Sequence, residues 1–294
     1  MSTTFTDRYV EVNGLNLHYL EWGAEGKPPM ILLHGVGQTA HTWDLFAAAM
    51  TPHFHIRALD QRGHGDSSWA PDKDYSRKAM VNDVLEFTRT LGMDRPFGPA
   101  QGRFFLVGMS MGGANSLSFT ANYPDKVEAL VVVDIGPRVE QKGVNNIRNF
   151  MTTYREFDSL DEAAEVIHNY NPRRPMEVIR KFTVVYNLKQ IPNGKWTWKY
   201  DPYFSDSHRR MDVRQMQEEL REEVRKIRCP ALVVKGGESD VFSLEGARNL
   251  QEVIPGSELA LVPGAGHSVM GDNPPGFEAA VRAFYQKRGY LPIG

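Results

Sequence analysis

Between Arg103 and Tyr123 the chain makes a passage that few folds accommodate. An apolar run, Phe104-Phe105-Leu106-Val107, empties through Gly108-Met109-Ser110-Met111-Gly112 into a segment with helix-favouring residues from Ala114 to Tyr123. The run reads as a buried strand and the segment after it as a helix. A turn this sharp leaves no room for side chains at its flanks, which is where Gly108 and Gly112 stand. Ser110 is thereby set at the tip of a strand–turn–helix elbow, its oxygen exposed and the backbone N–H of Met111 beside it. A glycine- and serine-rich loop matches the same five residues, because a bare GxSxG also arises by chance. The ends of the other strands decide between the two.

Those strands can be read in order. Tyr9–Val12 and Leu15–Trp22 predict a hairpin turned at Asn13-Gly14. Met30–Leu33 is apolar throughout, as in a strand covered on both faces. A helix is expected from Thr42 to Met50, a strand from Phe54 to Leu59, and an amphipathic helix from Ser76 to Leu91 with Ser76 as its N-cap and Gly92 as its stop. Asp94–Gly102, rich in proline and glycine, reads as a surface loop. Val127–Val133 is the next buried strand, closed by Asp134. From 137 to 228 strand-like runs become scarce and charged helical stretches dominate, around an aromatic group that includes Trp196 and Trp198. Alternation resumes at Ala231–Val234, Leu244–Val253 and Leu259–Val262, and a last helix is expected over Gly276–Lys287. This order predicts an α/β protein with a mostly parallel sheet and helices on both faces. Residues 1–136 and 229–294 form its two parts, and 137–228 forms a helical cap inserted between them.

Composition excludes several other readings. Lys+Arg number 34 and Asp+Glu 36, a net charge of −2, so there is no electrostatic case for nucleic acid or an anionic membrane. The single cysteine, Cys229, rules out an intrachain disulfide framework or cysteine metal site and reads as a buried thiol. No metal site or cofactor motif is found, since Gly108–Gly113 lacks the spacing of a dinucleotide fingerprint. The polar start, Met1–Asp7, has no apolar core of a secretory signal, and no run nears the roughly 18 residues of a membrane span. A soluble, cytoplasmic protein is expected.

Open parallel sheets bind ligands at the carboxyl ends of their strands. Reading those ends gives His34-Gly35-Val36-Gly37 after the third strand, Ser110 after the fifth and Asp134 after the sixth. Gly236-Gly237-Glu238-Ser239-Asp240 and Gly264-Ala265-Gly266-His267 follow the last two. Serine, then carboxylate, then histidine is the chain order of a known triad. With the Asp60-x-Arg62-Gly63-His64-Gly65-x-Ser67 loop included, the chain resembles the α/β-hydrolase superfamily, in the subset with a helical cap after the sixth strand of an eight-stranded sheet.

The resemblance implies roles that chemistry explains. Ser110 needs a base to take its proton, and His267, with an unperturbed pKa near ~6.5, would be that base. A carboxylate, expected to be Asp240, would hold the imidazole tautomer. Glu238 in the same turn and Asp134 are its rivals. The resemblance assigns the oxyanion donors to the backbone N–H groups of Val36 and Met111. Trp43 and Met109 are candidates for the pocket wall, as are Trp196 and Trp198, for which packing within the cap is the competing role. His34 and His64 are expected to shape glycine turns, and Asp60 and Arg62 to brace their loop. Relatives that cleave carbon–halogen bonds or epoxides carry aspartate at the elbow, so Ser110 implies acyl transfer. The expected activity is a serine esterase or lactonase acting on a small or medium apolar substrate through an acyl-enzyme, with no cofactor. A carbon–carbon hydrolase of aromatic ring-cleavage products, or a ligand-sensing receptor on the same fold, are the alternatives.

Overall fold

The computed structural model describes residues 4–93, 102–206 and 213–292. Its strands are β1 (Thr6–Val12), β2 (Leu15–Trp22), β3 (Pro29–Leu33), β4 (His55–Leu59), β5 (Phe104–Met109), β6 (Val127–Val133), β7 (Glu156–Phe157), β8 (Leu188–Gln190), β9 (Trp196–Trp198), β10 (Ala231–Gly236) and β11 (Glu258–Val262). Eight of them form one sheet in the order β1-β2-β4-β3-β5-β6-β10-β11. The β1–β2 and β2–β4 pairs are antiparallel and the rest are parallel. The hairpin turns at Asn13 (φ 51°) and Gly14 (φ 74°), the left-handed pair that Asn-Gly supplies at little cost.

Strands β3 and β5 at the centre are apolar at every position because both faces are covered, yet their side chains still alternate. Phe104 and Leu106 join the cluster on one face, with Leu117, Phe119 and Val84, while Phe105, Val107 and Met109 join the other, with Phe46, Phe277 and Tyr285. Among the helices that cover the core are α1 (Asp44–Met50), α2 (Arg77–Thr90) and α3 (Met111–Asn122). The Ser76 hydroxyl accepts the Ala79 N–H at the start of α2, and Gly92 ends it at φ 64°, as their residue types dictate. Two helix starts differ from expectation. Ala40–Trp43 is a 3-10 turn ahead of α1, and α3 begins at Met111 rather than Ala114. The expected loop over 94–102 lies, save Gly102, outside the described residues.

The segment after β6 carries α4 (Gln141–Thr153), α5 (Leu160–Tyr170), α6 (Met176–Val178), a π turn, α7 (Val184–Asn187) and α8 (Val213–Val224). It is not purely helical, because β7, β9 and β8 make a three-stranded antiparallel sheet. Its residues up to Ser205 pack around a cluster of their own that includes Phe157, Ile167 and Trp198. Helix α8, expected with the cap, instead sends Leu220 and Val224 into the cluster shared with Leu117 of α3. The chain closes with α9 (Leu244–Val253), α10 (Val269–Asp272) and α11 (Pro274–Lys287).

The cap is stitched to the core beyond β9. Gly65 N–H donates to the Lys199 carbonyl (2.6 Å) and Asp201 N–H to the Gly63 carbonyl (2.8 Å). The buried Asp201 carboxylate accepts from Lys73 Nζ (2.7 Å) and from the Tyr75 hydroxyl. No described helix is long and apolar enough to cross a membrane.

Candidate active site

The elbow is built by close backbone packing. Strand β5 stops at Met109, Ser110 takes φ 52° and ψ −118°, and α3 starts one residue later. That is costly geometry for a residue with a Cβ, and it is held by its neighbours. A side chain on Gly108 would run into Ser116 Oγ and the Gly112 carbonyl, and one on Gly112 into the Leu33 and His34 carbonyls. Ser110 N–H donates to the Val133 carbonyl (3.0 Å) and Gly112 N–H to the His34 carbonyl (3.1 Å), tying the elbow to β6 and to the turn after β3.

His267 Nε2 stands 2.9 Å from Ser110 Oγ, and its Nδ1 stands 2.8 Å from Oδ2 of Asp134. The carboxylate against the histidine is therefore Asp134, not the expected Asp240. Asp134 is fully buried at the end of β6, in a left-handed conformation (φ 54°). Its Oδ1 accepts the Gly236 N–H (2.8 Å) and its Oδ2 also accepts from Ser239 Oγ. The turn after β10 thus supplies donors to the carboxylate rather than the carboxylate itself. Asp240 is exposed and accepts from Asn146 Nδ2 of α4 at 2.8 Å. Glu238 pairs with Arg173 Nε at 2.7 Å. Since β6 and β10 are adjacent parallel strands, their ends lie side by side, and chain order alone does not separate the two aspartates.

His34 is fully buried, its Nε2 accepts the Gln61 N–H (3.0 Å), and its Nδ1 donates to the Gly35 carbonyl (2.8 Å). Burial lowers its pKa. It is a neutral brace for the turn, as expected. Asp60 likewise braces its loop, accepting from Ala40 N–H (2.6 Å), Asp66 N–H (2.9 Å) and His18 Nδ1 (2.7 Å). Arg62 grips Asp83 through Nε (2.5 Å) and Nη2 (2.6 Å). Among the described residues, the N–H groups of Val36 and Met111 donate to no protein acceptor.

The sequence pattern of the alpha/beta hydrolase fold family matches residues 28–274. The chain belongs to the α/β-hydrolase family. Two curated relatives extend over nearly all of it. The esterase Rv0045c of Mycobacterium tuberculosis is 30% identical over 281 residues, 92% of this chain and 86% of its own. N-formylmaleamate deformylase of Pseudomonas putida is 29% identical over 97% of this chain and 98% of its own. Among solved structures, E-2-(acetamidomethylene)succinate hydrolase superposes with a TM-score of 0.82, covering 96% of this chain and 100% of its own at 24% identity.

In this α/β-hydrolase a cavity of about 770 Å³ lies between the sheet's carboxyl end and the cap, and Ser110, His267 and Val36 open onto it. Met109 and Trp198 line it as expected, with Trp198 Nε1 donating to the Tyr154 carbonyl (2.6 Å). Trp43 does not. It is fully buried beneath the sheet against Phe46 and Phe277, because the 3-10 turn points it into the core. Trp196 also stands away from the cavity, on the half-buried edge of the cap cluster. Sequence reasoning missed the polar part of the wall: Asn146, Tyr170, Arg173 and Arg174 from the cap, and Gln38 from the turn after β3. Burial and the nearby Asp240 charge push the Tyr170 hydroxyl up to about 12, leaving it a neutral donor. The adjacent arginines ahead of Pro175 were the one local signal available.

Proposed function

We propose that this hydrolase transfers an acyl group from a small ester, lactone or related acyl compound to water, with Ser110 as nucleophile. The observation that carries the reading is the unbroken line Ser110 Oγ–His267 Nε2 (2.9 Å), His267 Nδ1–Asp134 Oδ2 (2.8 Å) at one wall of the cavity between cap and sheet. Ser110 Oγ attacks the acyl carbonyl carbon while its proton passes to His267 Nε2. Asp134 holds Nδ1–H and offsets the charge of the imidazolium. The oxyanion receives the two unengaged N–H groups, of Val36 and Met111, a contribution that typically lowers the barrier by about 3 kcal/mol per donor. His267 then returns the proton to the leaving oxygen or nitrogen, and a water deprotonated by the same imidazole releases the acid and restores Ser110.

The relatives named as an esterase and a deformylase support hydrolysis of a carbon–oxygen or carbon–nitrogen acyl bond. Replacing Ser110 by Ala should abolish hydrolysis of small aryl esters while leaving the thermal unfolding midpoint within a few degrees. A covalent acyl adduct on Ser110, detected by intact mass after mixing with a slow ester, should vanish in the same variant. Undiminished turnover without Ser110 would sink the mechanism.

A further inference from the structure

The cavity that exposes Ser110 also contains a buried cation whose donors are mostly unfilled. Arg174 lies in the turn between α5 and α6, where its N–H donates to the Asn171 carbonyl (3.2 Å) and its carbonyl accepts from His168 Nδ1 (3.2 Å). Its side chain is only 14% exposed. A guanidinium presents five N–H donors in a planar fork. Here Nη1 reaches Thr183 Oγ1 at 3.4 Å and Nη2 stands 3.6 Å from Asp272 Oδ1, beyond hydrogen-bond range, while the buried Nε meets no acceptor among the described residues.

Asp272 is already committed elsewhere: its Oδ1 accepts from Asn171 Nδ2 (2.7 Å) and its Oδ2 from the Gly266 N–H (3.0 Å). Burial pulls the Arg174 pKa below its ordinary value, and the Asp272 charge opposes this without cancelling it. The neighbouring arginine gives the contrast. Arg173 is 39% exposed and donates from Nε to Glu238 at 2.7 Å. It is hydrogen-bonded to its carboxylate, whereas Arg174 faces its own, Asp272, only at the longer 3.6 Å.

The placement of the fork is specific. A Cβ on Gly271 would stand 2.5 Å from Nη2 and 2.9 Å from Nε of Arg174, so only glycine lets the guanidinium lie against α10. A buried cation with empty donors is expensive to hold. A planar acceptor entering the cavity would meet the fork from its Nη side, and a carboxylate matches the two Nη groups with two parallel hydrogen bonds.

We propose that Arg174 anchors a free carboxylate on the substrate of Ser110, so that the preferred substrates are half-esters or half-amides of short dicarboxylic acids. The scissile bond is placed by the acyl-transfer reading above, on which this inference rests. The anion site itself stands on Arg174 alone.

The test compares kcat/KM for the monomethyl and dimethyl esters of succinic, glutaric and adipic acids. The monoesters should be preferred, and Arg174→Met should lower the mono-to-diester ratio by roughly 10–100-fold, the range for a lost hydrogen bond to a charged group. Arg174→Lys should restore little of it, since it keeps the charge and loses the fork. Gly271→Ala should lower the ratio as well, by displacing an intact Arg174. A ratio unchanged in Arg174→Met that still folds would overturn the anchor while leaving the acyl-transfer reading in place. Calorimetric titration of Ser110→Ala with glutarate separates the two ideas further. Glutarate binding that disappears on adding Arg174→Met supports the anchor even if no ester is turned over, an outcome that defeats the acyl-transfer reading alone. No glutarate binding in Ser110→Ala sinks the anchor.

Discussion

Asp134 and Asp240 end neighbouring strands, and each could reach toward His267 on sequence order alone. What separates them is where their donors come from. Asp134 is fully buried and takes up the Gly236 N–H, Ser239 Oγ and His267 Nδ1, so its charge is both desolvated and satisfied. Asp240 meets Asn146 at the exposed rim of the cavity, without reaching His267. Asp134→Asn should therefore lower kcat by about 10³–10⁴-fold, the scale of losing the carboxylate that orients a catalytic imidazole. Asp240→Asn should change it by less than about threefold, as befits an exposed polar pair. Steady-state rates on one ester rank the two, and the reverse order would return the role to Asp240. Ser110 and His267 were legible in the sequence because each follows a strand end inside its own glycine turn. The acid was not, because the spatial adjacency of β6 and β10, rather than any residue pattern, decides which carboxylate faces the histidine.

At the scale of elements, the elbow between β5 and α3 shows why glycine and not merely a small residue is required. A methyl group on Gly112 would meet the Leu33 and His34 carbonyls, rigid backbone atoms that accept the strand and turn hydrogen bonds around them. Gly112→Ala should cost about 1–3 kcal/mol or more. The thermal midpoint should fall by several degrees, at about 2–4 °C per kcal/mol, and acylation of Ser110 should slow in parallel. An unchanged midpoint would show that the turn after β3 yields freely. The strand–helix alternation of the core was readable because its periods are local. The small β7-β9-β8 sheet was not, since its strands are two or three residues long and too short to show a period. The packing of α8 on α3 was equally hidden, because an amphipathic helix declares a buried face but not the partner that buries it.

Over the whole molecule, cap and core are coupled through Asp201. Burial works to raise its pKa, but hydrogen bonds from Lys73 and Tyr75 bring it below the ordinary carboxylate value of 3.8. A carboxyl whose pKa is depressed by folding contributes stability above its unfolded value and loses it as pH falls through that value toward the lowered one. The stability gap between the native protein and Asp201→Asn should accordingly be widest near neutrality and shrink below about pH 4. Urea unfolding at several pH values measures it, and a gap constant with pH would remove Asp201 from the coupling. The two backbone hydrogen bonds at Gly63 and Gly65 reinforce the same edge, while the edge beside His267 combines a backbone bond from Glu140 N–H to the Val241 carbonyl (2.8 Å) with side-chain pairs such as Arg173–Glu238 and Asn146–Asp240. Mechanically the roof is bolted along one wall and held along the other by latches as well as a bolt. The exposed Arg173–Glu238 latch lets go more readily as salt rises, so raised ionic strength loosens the roof from the His267 side first.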